Sequence, residues 1–138
     1  MPGPLEVEPG NLQKRAIIVG ASKVEQAGML AVLAEAGVTE VDRVDSTETA
    51  IEAMTRHRYS CGVFDLDEHQ VDTWQLAHHF SLRNPNALTM GISQHAGPQA
   101  PWLKRRRVRR DTQRTGITAL VGRPLQDAEL RRWIELLN

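Results

Sequence analysis

Cysteine is almost absent. Cys61 is the single one in 138 residues, so no internal disulfide can form and a secreted scaffold stapled by bridges is excluded. Its place in an apolar run reads as a small core residue, and such cysteine usage mildly favours a reducing compartment. Long hydrophobic runs are missing too. No apolar stretch approaches the roughly 20 residues of a membrane span. The N-terminus lacks the basic flank and apolar core of a signal peptide, which predicts a cytoplasmic chain with no membrane partner. Net charge is also lacking, with 17 Lys plus Arg against 17 Asp plus Glu. At 41% hydrophobic and 25% charged residues, the composition excludes wholesale disorder and a collagen-like repeat. The length suits one domain, able to bury about two-thirds of the surface its unfolded chain exposes.

The zero net charge hides a segregation. Between residues 104 and 114 lie seven bases, Lys104, Arg105, Arg106, Arg107, Arg109, Arg110 and Arg114, against one acid, Asp111. That segment is +6 and the rest of the chain −6, which points to a charged ligand or partner at one place rather than to a uniformly basic nucleic-acid binder.

Residues 1–13, with three prolines and no periodic pattern, predict a flexible leader. Arg15–Gly20, Val38–Val44, Tyr59–Leu66, Ala87–Ile92 and Ile117–Val121 read as five strands. Between them, Ser22 with Glu25 forms a capping box for a helix ending at Gly37, and Asp45 with Glu48 repeats the cap signal for a second that ends near His57. A third helix runs from Val71 through Trp74 and Phe80 to just before Asn84, and a last one spans Leu125–Leu137. Strands alternating with helices imply parallel pairing and a sheet covered on both faces. The alternation lapses once. Lys104–Thr115 offers one large apolar residue, Val108, while its arginines at i,i+4 repel. A mobile or disordered segment from about Gln94 to Gln113 is therefore expected.

Three motifs carry a family resemblance: IIVGAS after the first strand begins, VFDLDEHQVDTW around an aspartate, and GITALVGRPL near the end. With them, residues 14–137 resemble the receiver domain of bacterial response regulators, the CheY-like fold. The expected architecture is a (βα)5 receiver-like, flavodoxin-like three-layer α/β sandwich. Its sheet is parallel and five-stranded, its domain is 14–138, and a basic, disordered insertion at about 94–115 stands in place of the fourth helix. The resemblance implies that Asp65 holds the phosphoacceptor position, Ser93 the switch hydroxyl, Arg123 the signature lysine and Leu120 the aromatic switch position. The departures make the site degenerate. Gly20 and Ala21 stand where receivers place an acidic pair for Mg²⁺, so no Mg²⁺ and no efficient phosphorylation are expected. Arg123 in place of lysine is able to clamp Asp65 bidentately.

Other candidates are weaker. His78 and His79 are adjacent and point to different sides of a helix. The acidic loop of Asp65, Asp67, Glu68, His69 and Asp72 reads as solvated charge, and Ser93, His95 and Asp111 lack a nucleophile-elbow context. No enzyme is predicted. Trp74 and Trp133 lie on apolar helix faces, whereas Trp102, between Pro101 and the arginines, reads as exposed and available for stacking.

Six of the seven clustered bases are arginine. Arginine adds to bare charge a fork that fits phosphate or the guanine O6 and N7 atoms, and a flat face that stacks on bases. Asp111 would accept from guanine N1 and N2. Arg106, Arg110 and Arg114 would form one ridge if the segment became helical. Phosphates, purine faces and a guanine edge together describe a cyclic guanine dinucleotide. With the degenerate receiver body, the segment resembles the Cle proteins, CheY-like cyclic di-GMP effectors with an arginine-rich insertion. That resemblance implies a ligand site of Trp102, Arg105, Arg106, Arg107, Arg109, Arg110, Asp111 and Arg114. It also implies docking on the flagellar motor switch, reduced motility and faster surface attachment, with recruitment to the motor or cell pole. A solvated basic run, an acidic-protein contact or, less favoured, nucleic acid are the competing readings, as is an ordinary phosphoreceiver.

Overall fold

The structure is a computed structural model that describes residues 14–137; the leader predicted at residues 1–13 lies outside the described residues. The elements follow in the order β1 Lys14–Val19, α1 Lys23–Glu35, β2 Val38–Val44, α2 Thr47–Arg56, β3 Cys61–Asp65 and α3 Thr73–Arg83. The second half runs β4 Leu88–Ile92, a 3₁₀ turn Gln94–Ala96, α4 Trp102–Thr115, β5 Ala119–Val121, α5 Asp127–Ile134 and a 3₁₀ turn Glu135–Leu137. The five strands pair in parallel in the order β2-β1-β3-β4-β5. This is the expected α/β receiver-like sandwich.

Two cores lie on the two faces of the sheet, and strand alternation feeds both. Ala16 and Ile18 of β1 join Val63, Met29, Leu33, Leu130 and Trp133 against α1 and α5. Ile17 and Val19 join Phe64, Met54, Phe80, Val108 and Ile117 against α2, α3 and α4. The edge strand β2 buries only Val38 fully, exposes Arg43 and leaves Glu40 and Asp42 half-exposed, which guards it against pairing with another chain.

The α1 cap is the predicted box: Ser22 Oγ accepts from Glu25 N at 3.1 Å, and Glu25 Oε1 accepts from Ser22 N at 3.1 Å. For α2 the cap is Ser46, one residue beyond the expected Asp45, with its hydroxyl accepting from Thr49 N at 3.2 Å.

The arginine-rich segment is not disordered. It forms α4, a helix of 14 residues, and so corrects the expectation of a mobile stretch in place of the fourth helix. Three like-charge i,i+4 pairs cost roughly 0.2–0.5 kcal/mol each, against about 1.5–3 kcal/mol for burying Val108. Thr112 is buried beside it. The C-terminus is closed by Gly116 in the left-handed region, φ 87°, whose N–H donates to the Thr112 carbonyl. Ser81 of α3 donates to the Thr115 carbonyl at 3.0 Å, tying that end to the body. Arginine, leucine and glutamine are also intrinsically good helix formers. The expectation weighed large apolar side chains and omitted propensity, the buried threonine and the cap.

Candidate functional site

The sheet's C-terminal end is built around Asp65, the last residue of β3 and only 7% exposed. Its main-chain carbonyl accepts from Thr73 Oγ1 at 2.7 Å, and its carboxylate accepts from Ala21 N at 3.1 Å and Asp67 N at 3.0 Å. Gly20 and Ala21 both take left-handed backbone, φ 81° and 72°. A Cβ at Gly20 would lie 2.9 Å from Asp65 Cβ, so the turn after β1 presses its backbone against the aspartate where an acidic side chain would otherwise stand.

Arg123, in the loop after β5, reaches three carboxylates at once. Its two terminal nitrogens meet Asp65, Nη1 to Oδ1 at 3.1 Å and Nη2 to Oδ2 at 2.8 Å. Nε and Nη2 donate to Glu25 at 2.9 and 3.1 Å, and Nη1 to Asp67 Oδ2 at 2.5 Å. This is the fork geometry that lysine cannot supply. The hydrogen bonds from Arg123 hold the Glu25 carboxyl below its ordinary range, more than offsetting burial. Burial opposes the charge on Arg123, but bonds to Glu25 and Asp65 outweigh it and raise its pKa. Asp67 extends the cluster to the next loop by accepting from Ser93 Oγ at 3.1 Å and Gln94 N at 2.7 Å. Asp65, Ser93 and Arg123 are thus brought together, while Leu120 packs half-buried against the second core. Sequence reasoning missed Glu25, read only as a cap, and Asp67, read as solvated loop charge. The Asp-x-Asp spacing at 65 and 67 was the available signal.

A magnesium ion does not fit this arrangement. Gly20 and Ala21 offer no carboxylate, and both Asp65 oxygens are engaged by a guanidinium. Among the described residues no group of three His, Cys, Asp or Glu is placed to hold a metal ion. His78 and His79 are exposed on α3, Asp72 caps that helix, and no hydrogen bond joins the His95 ring to Ser93 or Asp111 among the described residues.

The basic helix α4 shows the opposite pattern. Lys104, Arg106, Arg107, Arg109, Arg110 and Arg114 are exposed, and Arg105 is half-buried. Among the described residues none of these seven side chains has an ion-pair or hydrogen-bond partner. Trp102 is 61% exposed at the start of the helix, whereas Trp74 and Trp133 pack against the cores. Two clefts flank α4. One, of about 280 Å³, lies between α4, Trp74 of α3 and the loops after β3 and β4, and its polar lining includes Asp67, His69, His95, Lys104, Arg107 and Asp111. The other, of about 660 Å³, faces α5 and is lined by Arg109, Leu120 and Glu129.

No family model matches the chain, and no curated protein matches it. Solved structures do. A response regulator from Thermotoga maritima is similar with a TM-score of 0.71 at 13% identity, covering 91% of this chain and 98% of that one. A CheY-like receiver domain protein from Methanospirillum hungatei JF-1 gives 0.72 at 16%, covering 91% and 94%. The chemotaxis response regulator CheY4 of Vibrio cholerae gives 0.72 at 12%, covering 92% and 100%. Likeness at such identities establishes the fold: the chain has the architecture of a response-regulator receiver.

Proposed function

We propose that the chain is a phosphorylation-independent, non-enzymatic CheY-like effector that binds cyclic di-GMP through α4. Trp102, Arg105, Arg106, Arg107, Arg109, Arg110, Asp111 and Arg114 form the ligand surface. The observation that carries this reading is the set of seven bases on one helix without a partner among the described residues, beside a half-buried carboxylate. Charge that the protein leaves uncompensated is available to a phosphate-bearing ligand. Bound ligand would change the surface formed by α4, β5 and α5, and so the affinity for a flagellar motor switch protein, slowing motility and promoting attachment. The protein would act in the cytoplasm and be recruited to the motor.

Independence from phosphorylation is supported by Arg123. One guanidinium among Glu25, Asp65 and Asp67 leaves a net charge of −2 facing an anionic phosphodonor, and Gly20 and Ala21 supply no acidic pair for a metal ion that would offset it. Calorimetry with cyclic di-GMP is the test of the ligand. Saturable binding that a long single-stranded RNA does not displace supports the proposal, whereas steeply salt-dependent binding of the RNA alone would favour a nucleic-acid module. Incubation with acetyl phosphate and Mg²⁺ followed by intact-mass measurement should leave Asp65 unmodified; a stable phosphoryl adduct would restore the ordinary phosphoreceiver reading.

A further inference from the structure

The helix divides its own arginines. Arg107, Arg110, Asp111 and Arg114 stand at i, i+3, i+4 and i+7 and so share one stripe of α4. Arg107 and Asp111 line the cleft toward α3, while Arg109 lines the cleft toward α5. Resting on the cyclic di-GMP reading, we propose that one guanine of the ligand lies in the α3–α4 cleft. Trp74, Leu66 and Val108 form its apolar walls, Asp111 accepts from its N1–H and N2–H, and Lys104 and Arg107 hold the adjoining phosphate.

Size, chemistry and vacancy of bonding capacity agree on this. Pockets that enclose a whole small molecule run to roughly 300–1,000 Å³, so a cleft of about 280 Å³ suits one base, with the rest of the dinucleotide lying along Arg110 and Arg114. The Asp111 carboxylate is half-buried and, among the described residues, accepts no hydrogen bond, so both of its oxygens are open to two parallel N–H donors. Guanine presents those two donors side by side. Adenine turns an N1 lone pair toward the same position, so the carboxylate would remain unpaired and a neighbouring acceptor would face it. A site built this way rejects the analogue that lacks the donors.

The test compares the two flanks of α4 and two bases. Arg107→Ala, Asp111→Asn and Trp74→Leu should each weaken cyclic di-GMP tenfold or more, and by more than Arg105→Ala or Arg109→Ala on the other flank, while Arg132→Ala, an exposed arginine of α5 outside the ligand surface, should leave the affinity unchanged. Cyclic di-AMP should bind at least tenfold more weakly than cyclic di-GMP. The Trp74 indole N–H resonance should shift on adding GMP and stay still with AMP. Equal losses on both flanks, or equal affinity for the two cyclic dinucleotides, would overturn the guanine pocket and leave α4 as a general anion surface. If cyclic di-GMP fails to bind at all, the proposed function falls; a Trp74 shift specific to GMP would then still support the pocket, and its absence would remove both. Asp111→Asn, which is isosteric, keeps the test informative if Trp74→Leu unfolds.

Discussion

Arg123 and the six arginines of α4 carry the same guanidinium into opposite circumstances. The first has Glu25, Asp65 and Asp67 within bonding distance; the others have no acidic partner among the described residues. A cation that the fold satisfies is part of the scaffold, and one that it leaves unsatisfied costs little in water but stays available for an anion. On the proposed function the two regions therefore separate by what their loss should remove: stability at the sheet end, ligand affinity on α4.

The largest effect is expected at Arg123. Replacing it by alanine leaves three carboxylates facing one another at a partly buried site, where breaking a charge pair costs about 3–5 kcal/mol. With 23% of its side chain exposed, the lower end applies, about 3 kcal/mol by urea unfolding at pH 7. The pH dependence has a defined sign. Since Arg123 holds the Glu25 carboxyl below its ordinary 4.5, the stabilisation is complete above that value and is lost as pH falls through the depressed one. The wild-type and Arg123→Ala curves should therefore converge in acid. A constant gap across the acid range would mean that the clamp is not what stabilises the site.

Next in size is an attempt to rebuild the acidic pair of a receiver. Gly20→Asp would force a side chain onto left-handed backbone and into 2.9 Å contact with Asp65 Cβ. The cost is about 2 kcal/mol, with no gain in phosphorylation. Recovery of Mg²⁺-dependent modification by this single change would show that the turn relaxes easily. On α4 the outcome changes kind. Arg110→Ala should weaken cyclic di-GMP about tenfold, or roughly 1.4 kcal/mol, and leave the urea midpoint unchanged. Arg110→Lys should lose nearly as much affinity, because the fork and stacking face go while the charge remains. A silent lysine variant would reduce the helix to a bare charge patch.

The fold could be read almost whole from the sequence, because the central strands are continuous apolar runs buried on both faces and the first two helices carry cap signals. What could not be read depends on partners far along the chain. Glu25 and Arg123 are 98 residues apart, and nothing in the local pattern shows that a capping glutamate has a free oxygen pointing at a later loop. The helicity of α4 was hidden for a related reason. Thr112 and the Ser81 tie to the Thr115 carbonyl become stabilising only once α3 lies alongside. Among the proposed ligand residues, sequence spacing placed Arg110 and Arg114 on one ridge, but the split between the α3 and α5 flanks needed the position of the helix on the sheet.

The smallest effect tests the same contrast with its sign reversed. Arg106 is exposed and stands four residues before Arg110, so the pair repels across one turn of α4. Arg106→Glu removes that repulsion and replaces it with an attractive pair in the favourable order, acid before base. Each contribution is a few tenths of a kcal/mol, so the protein should become more stable by about 0.5 kcal/mol at low ionic strength. Because the site is in water, the gain should vanish in about 1 M salt, where charges are screened within roughly 3 Å. Ligand affinity should fall in the same variant, as a carboxylate now faces the phosphates. A variant that is steadier as a fold and poorer as a binder would show α4 carrying its charge at the expense of stability. If Arg106→Glu instead destabilised the protein at low salt, the exposed arginines would be making structural contacts after all, and the division between clamp and ligand surface would not hold.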